Sequence, residues 1–372
     1  MLINSIPQRT IRESGTEPVR VVVLDQRNLP HKIEYVELQT FEDICNAIND
    51  MIVRGAPLIG VCAAYGLYLA AFSLKDLGLD SFQTKLKEFT DKLIATRPTA
   101  INLRNAISKA IEFIGHFNST EEEVHASLKY ARNLYENEID CSRKIGEYGV
   151  KLIEDIYQNK KSTVNILTHC NAGWLATIDY GTATAPIYLA MERGIPLHVW
   201  VDETRPRNQG AKLTAWELME NGVPCTLIPD NAGGHLMQHG LVDLCLVGSD
   251  RTTRTGDVAN KIGTYLKALA AKDNSVPFYV ALPCSSFDWS LLDGINEIQI
   301  EQRNPEEVLY VDGLADGKIQ TVLVPPLGCN AANYGFDVTP ARLVTGLITE
   351  HGIFKPEEKE LNKLREIINI KG

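Results

Sequence analysis

Cys170 and Asp250 are the residues whose types and positions could move protons within one small site. Cys170 stands in LTHCNAGWLAT, between an apolar run and a segment that reads as helical. A thiol at a strand end beside a helix start can have its pKa lowered by the helix dipole and exchange protons near neutrality. The alternative is a small buried side chain at a turn, the commoner fate of a free cysteine. Asp250 follows LCLVG and precedes Arg251. A carboxylate at a strand end in an apolar crevice has its pKa raised and can serve as general acid or base. An ion pair with Arg251 or Arg254, or a helix cap, would also explain it.

A second group could hold an anion. Asn260 and Lys261 in GDVANKIGTYLKALAA precede a helical stretch, where amide, ammonium and free backbone N–H groups together would cradle a phosphate. Gln209 in RPRNQGAKLTAWEL is likewise an amide ahead of a helix. Arg54 in VRGAP and Arg97 in TRPTAINL each precede a helix-start signal with proline close by, and each could aim a fork of donors at an anion. Solvated or ion-paired side chains are the plain alternative for all of these. GxGxxG and GxxxxGK[ST] are missing, which removes the usual dinucleotide and nucleoside triphosphate signals. His235 and His239 lack the glutamate of HExxH, so no metal is expected.

Something must bring these residues together. From about Thr163, five apolar runs, VNIL, LHVWV, CTLIP, LCLVG and FYVAL, alternate with helical segments. Uncharged runs separated by helices imply parallel strands buried on both faces, a doubly wound α/β arrangement. Ligands in such sheets bind at the carboxyl ends of the strands. Each run is followed there by polar residues: 168–171, 202–209, 230–235, 249–251 and 283–286. Five such loops would converge on one crevice.

The first part reads differently. RVVVLD and KIEYVEL alternate as short paired strands. FEDICNAINDMI, FQTKLKEFTDKLI and AINLRNAISKAIEFI carry apolar residues three and four apart, as helices do. Ser119 with Glu122 signals a capping box at the head of a connecting helix whose face is Val124, Leu128, Ala131 and Leu134. The expected division is a mainly helical domain with short strands over 1–145 and a Rossmann-like domain over 146–372. The uncharged stretch 55–74 is long enough to cross a bilayer, but its small residues, two tyrosines and Gly-Ala-Pro start favour a buried helix.

A chain of 372 residues suits two domains. A net charge of −10 argues against a broad nucleic-acid footprint. Eight scattered cysteines without a CxxC pair fit reduced thiols in a cytoplasmic protein.

With these residues in view, the sequence resembles the methylthioribose-1-phosphate isomerases of methionine salvage. LDQRNLP, VRGAPLIG, TRPTAINL, THCNAG, DETRP with QGAKLTAWEL, GSDR, GDVANKIGTY and FDVTP follow the family's order over nearly the whole chain. The resemblance implies a helical N-terminal domain on a Rossmann-like C-terminal domain, a homodimer, and a sugar phosphate as substrate without cofactor, metal, nucleic acid or membrane. It implies that Asp250 and Cys170 match the catalytic acid and its partner. It also implies that Arg54, Gly55, Ala56, Arg97, Gln209, Asn260 and Lys261 match the substrate positions, with Asn171 and Gly173 shaping the cysteine loop. Ser249, where many members have Ala, and the loops DNAGGH and ALPCSSFD depart from the pattern and are expected to shape the pocket for the sugar's 5-substituent. The same fold family includes 5-deoxyribose-1-phosphate isomerases, the nearest alternative activity, and ribose-1,5-bisphosphate isomerases. It also includes the regulatory subunits of translation initiation factor 2B, which would make the chain a binding module.

Overall fold

A computed structural model describes residues 1–97 and 101–371. The five apolar runs form strands Val164–Thr168, Leu197–Asp202, Cys225–Ile228, Leu244–Val247 and Phe278–Ala281, and every pairing among them is parallel. All four residues of Leu244–Val247 are buried, which explains a run with no polar alternation. Two strands extend the sheet beyond the sequence reading: Gly346–Thr349, parallel to Phe278–Ala281, and an antiparallel edge, Gly352–Phe354. Gly346–Thr349 escaped notice because it opens on glycine, which weakens a strand signal.

Across the sheet the order is Gly352–Phe354, Gly346–Thr349, Phe278–Ala281, Leu244–Val247, Val164–Thr168, Leu197–Asp202, Cys225–Ile228. From the inner strand Val164–Thr168, the chain winds outward through two strands. It then returns to the other side at Leu244–Val247 and winds outward the opposite way. The direction of winding therefore reverses between Val164–Thr168 and Leu244–Val247. A crevice opens at the carboxyl ends of two strands at such a reversal. The loop after one of them carries Cys170, and the loop after the other carries Asp250.

The N-terminal region packs five helices against a small antiparallel sheet, Ile11–Ser14, Arg20–Leu24 and Tyr35–Leu38. The first of these strands was not anticipated. The helices are α1 (Phe41–Asn49), α2 (Ala56–Ser73), α3 (Leu79–Ala95), α4 (Ile101–Ile114) and α5 (Thr120–Lys160). In α1, Thr40 accepts from the Asp43 N–H, and Asp43 returns a bond to the Thr40 N–H, a reciprocal cap. The uncharged stretch is α2, and 83% of it is buried by the neighbouring helices and sheet. Burial all round removes any need for a polar face, so length and composition alone could not separate a core helix from a membrane span.

α5 runs 41 residues, farther than expected. Ser119 caps it by accepting from the Glu122 N–H, while Glu122 bonds back to Asn118 rather than to Ser119. At about 1.5 Å per residue the helix spans some 60 Å. Along it the buried surroundings change. Val124, Ala126 and Ala131 join the N-terminal core with Ile44, Leu58, Phe82 and Ile107, whereas Ile145, Val150 and Ile153 join a second core with Ile166, Val199 and Ile187. A third core, with Leu167, Cys245, Phe278 and Leu347, covers the opposite face of the sheet. The neighbours Ile166 and Leu167 divide between the second and third cores, as strand alternation requires.

Candidate active site

Cys170 leaves the strand Val164–Thr168 with φ +64, a left-handed conformation that costs a non-glycine residue about 1–3 kcal/mol unless its surroundings impose it. They do. Its N–H donates to Thr204 Oγ1 at 2.8 Å, and its carbonyl accepts from Thr214 Oγ1 at 2.6 Å. Beneath it, the fully buried ring of His169 bridges Asp202 Oδ2 and the Ile262 carbonyl, each at 2.8 Å. The chain beyond Cys170 forms no long helix there, only a single 3-10 turn, Trp174–Ala176. The expected dipole effect is therefore corrected. Burial pushes the thiol pKa up, Lys261 and Arg54 pull it partly back, and Asp250 pushes it further.

Asp250 is held by its N–H donating to the Ala259 carbonyl at 3.0 Å. That contact begins a second sheet, of Phe287–Asp288, Arg251–Thr253, Val258–Lys261 and Phe336–Thr339, which the sequence did not reveal because its strands are two to four residues long. Arg251 lies 3.8 Å from Asp288, and Arg254 lies 3.6 Å from Glu358. Burial raises the Asp250 pKa, opposed by Lys261, Arg54 and Arg97, as expected for a strand-end acid.

Asn260 and Lys261 end the strand Val258–Lys261, whose register with Phe336–Thr339 pairs Asn260 with Asp337 and Lys261 with Phe336. The helix behind them, Thr264–Asp273, is not an open anion cradle: Asp337 accepts from the N–H groups of Gly263 at 2.7 Å and Tyr265 at 3.1 Å. A carboxylate already satisfies those amides. The pair of side chains reaches the cavity instead, the buried Lys261 with its pKa lowered by burial and its Nζ 4.9 Å from the Phe336 ring centre.

Opposite stands the N-terminal region. Gly55 precedes α2 with φ +94, and a Cβ there would come within 2.4 Å of Ala176. Only glycine lets the start of α2 touch the 3-10 turn after Cys170. The N-cap Gly55 has no side chain to cap α2, and among the described residues no other side chain bonds its first amides, which leaves them for an anion. Arg54 bonds Asn171 twice, from Nη1 to the amide Oδ1 and from Nη2 to the carbonyl at 2.8 Å. Arg97, its pKa lowered chiefly by burial, has an Nε without a hydrogen-bond partner among the described residues. The Pro98 signal after it lies outside them.

All nine residues singled out, Arg54, Gly55, Ala56, Arg97, Cys170, Gln209, Asp250, Asn260 and Lys261, line one cavity of about 320 Å³. Among the described residues, Gln209 Oε1 and the neighbouring Asn208 Oδ1 are also buried without hydrogen-bond partners, as polar groups facing a polar ligand would be. The loops contribute unequally. Residues 169–171, 206–209 and 248–250 line the cavity, and of 283–286 only Pro283 does. Ser285 and Ser286 instead bond Asn102 of α4, tying that helix to the sheet. The loop 230–235 lines none of it: Asp230 braces the N–H groups of Thr204 and Arg205, each at 2.7 Å. DNAGGH therefore acts on the pocket through the backbone of its neighbour, whereas Ser249 lines the cavity directly with Oγ 2.9 Å from Thr252 Oγ1.

Among the described residues, His169, Asp202 and Asp230 have metal-ligand types close together, but Lys267 Nζ stands 3.2 Å from Asp202 Oδ2 and already supplies a cation. His235 and His239 are exposed surface residues.

Sequence reasoning missed two parts of the site. One is the hairpin Tyr310–Ala315 with Lys318–Leu323, from which Tyr310, Val311, Asp312 and Thr321 reach the cavity. The other is Glu217, fully buried beneath the cysteine loop, with its pKa pushed up by burial to about 7. Nothing local in QGAKLTAWEL marks it, because its partners Asn171, Leu175 and Tyr188 lie 29 to 46 residues earlier in the chain.

The pattern of the initiation factor 2 subunit family matches residues 52–356. A methylthioribose-1-phosphate isomerase of Desulfatibacillum aliphaticivorans is 54% identical over 98% of both chains. Another, of Brucella anthropi, is 56% identical over 92% of this chain and 93% of its own. The crystal structure of 5-methylthioribose 1-phosphate isomerase from Pyrococcus horikoshii superposes with a TM-score of 0.84 at 35% identity, covering 97% of this chain and 96% of that one. A structure described as translation initiation factor eIF-2B, subunit delta, from A. fulgidus superposes with a TM-score of 0.78 at 38% identity, covering 97% and 100%.

Proposed function

The chain belongs to the initiation factor 2 subunit family and, within it, to the methylthioribose-1-phosphate isomerases, and from that premise we infer that it converts 5-methylthio-D-ribose 1-phosphate to 5-methylthio-D-ribulose 1-phosphate in methionine salvage. The observation that carries the reading is the pairing of Asp250 and Cys170 across the sheet reversal, in one cavity with Arg54, Arg97 and Lys261.

Phosphate on C1 blocks the anomeric oxygen, so the ring does not open to a free aldehyde on its own. An acid must protonate the ring oxygen as the C1–O bond breaks. Asp250, its pKa raised by burial, suits that donation. Hydrogen must also move from C2 to C1. If it leaves C2 as a proton, Cys170 takes it as thiolate and the electrons form a C1–C2 enol phosphate; the proton then returns to C1 as the C2 hydroxyl gives up its own proton to Asp250, which forms the ketone and restores the acid spent on the ring oxygen. A thiol held high by burial ionises only with help from Lys261 and Arg54 beside it. A 1,2-hydride shift needs no such ionisation. Arg54 and Arg97, the backbone at Gly55 and Ala56, and the side chains of Gln209, Asn260 and Lys261 hold the phosphate and sugar oxygens.

We assign the chain a two-part organisation, 1–145 and 146–372, supported by the change of core along α5, and a cytoplasmic location, supported by eight free cysteines; that it works as a homodimer rests on the family resemblance alone. Light scattering on purified protein checks the dimer.

The deciding assay supplies purified protein with methylthioribose 1-phosphate and follows the ketose. Ketose formation with a higher kcat/KM than on 5-deoxyribose 1-phosphate is expected, and the reverse preference or no turnover sinks the assignment. Run in D₂O, solvent deuterium at C1 identifies the enol route; its complete absence counts against that route but is also the result of Cys170 returning the same proton to C1 shielded from solvent.

A further inference from the structure

Arg54 reaches the cavity only as well as Asn171 holds it, and the orientation of the Asn171 amide is set from behind. Its Nδ2 faces Thr214 Oγ1 at 3.1 Å and Glu217 Oε2 at 3.2 Å. Thr214 has its hydroxyl proton committed to the Cys170 carbonyl at 2.6 Å, so toward Asn171 it can only accept. Glu217 Oε2 also accepts, from Asn171 and from the Leu175 N–H at 3.3 Å, while Oε1 takes the Tyr188 hydroxyl at 3.3 Å. Two acceptors on one side force the amide NH₂ toward them, which turns Oδ1 toward Arg54. Asn171, Thr214 and Glu217 are all at least 97% buried, so no solvent competes for these bonds. The loop is also shaped around the carboxyl group: a Cβ on Gly173 would sit 1.4 Å from Glu217 Oε1.

We propose that Glu217, with Thr214, is a positioning residue that locks the Asn171 amide and thereby aims the Arg54 guanidinium at the substrate's anionic group. Glu217 lines no part of the cavity and acts only through Asn171. The inference rests on the isomerase reading above.

The test is a double-mutant cycle. Glu217→Leu keeps the volume and removes the acceptors, and KM for methylthioribose 1-phosphate rises about tenfold with kcat nearly kept, the scale of one or two lost charge-assisted bonds. Glu217→Gln restores KM to within about twofold of wild type, because its oxygen still accepts from Asn171 and Leu175 and the Tyr188 hydroxyl can turn to accept from the amide. In an Arg54→Ala background, Glu217→Leu adds less than about twofold, since its effect passes through the missing guanidinium. Thr214→Val, isosteric and expected to raise KM about threefold, carries the same cycle if Glu217→Leu does not fold. Calorimetric affinity for inorganic phosphate should fall in step with KM. An inactive wild type would fail the isomerase reading while leaving the phosphate cycle to decide the inference. An unchanged KM and phosphate affinity in a folded variant, a full multiplicative effect without Arg54, or a Glu217→Gln as impaired as Glu217→Leu would each overturn it.

Discussion

The helical N-terminal region and the parallel sheet supply different kinds of charge to the same cavity. From the helical side come Arg54 and Arg97, cations that stay charged at any working pH. From the two sheets come Cys170, Asp250 and Lys261, three groups whose proton affinities burial has moved. On the isomerase reading proposed above, the helical side only holds the anion, whereas the sheet side moves protons and, through Gln209, Asn260 and Lys261, also helps to hold the substrate. In the sheet region the groups sit on strand ends clamped by threonines and backbone bonds. In the helical region they sit where helices begin, and one glycine sets the approach. A change on each side should therefore show in a different kinetic constant.

The sharpest test is on the sheet side. Asp250→Asn and Cys170→Ser should each lower kcat by about 10³–10⁴ with KM changed far less, as loss of a positioned proton carrier does. Near-normal kcat in either folded variant would dissolve the division.

Next comes the seam between the regions. Glu138, on α5, is 7% exposed, and burial together with Glu350 raises its pKa to about 8. Because the folded pKa lies above the unfolded one, its contribution is full below the ordinary carboxylate range and is lost as pH climbs toward 8. Glu138→Gln cannot ionise, so it should be about 3 kcal/mol more stable than wild type at pH 8 and within about 1 kcal/mol at pH 5. Urea unfolding at the two pH values measures it, and equal differences at both would refute the assignment.

On the helical side, Arg97→Ala should raise KM about 10–100-fold with a smaller loss in kcat, the scale of a charge-assisted contact to phosphate. A pure kcat defect would move Arg97 into the proton-handling set. Smallest is Gly55→Ala, where a Cβ meets Ala176 and the left-handed backbone resists alanine. Thermal unfolding should show a loss of about 2 kcal/mol, with KM rising as the start of α2 withdraws from the cysteine loop. Unchanged stability would mean that the approach is looser than the geometry indicates.

Much of this was legible beforehand in the runs themselves. LCLVG is buried on both faces and carries no polar alternation, so it announced a parallel strand. Arg54 and Arg97, flanking helix starts, were read as able to face an anion, and both line the cavity. The second sheet stayed hidden because strands of two to four residues, such as Arg251–Thr253, leave no periodicity. The capped start of Thr264–Asp273 stayed hidden because its cap, Asp337, comes more than seventy residues later.

By itself the sequence determined which residue types stand at the strand ends, that the uncharged stretch 55–74 could form one apolar helix, and that two proton carriers and several cations were present. Strand order was left to the tertiary structure, and strand order put the reversal of winding between the Cys170 and Asp250 strands. The folded chain also decided the sign of the thiol's shift, upward by burial where local sequence suggested downward, and it joined Arg54 to Asn171 across 117 residues. The physical reason is common to all three. Strand neighbours, desolvation and fixed amide orientations depend on groups far apart in the chain, and only packing brings those groups within a few ångströms.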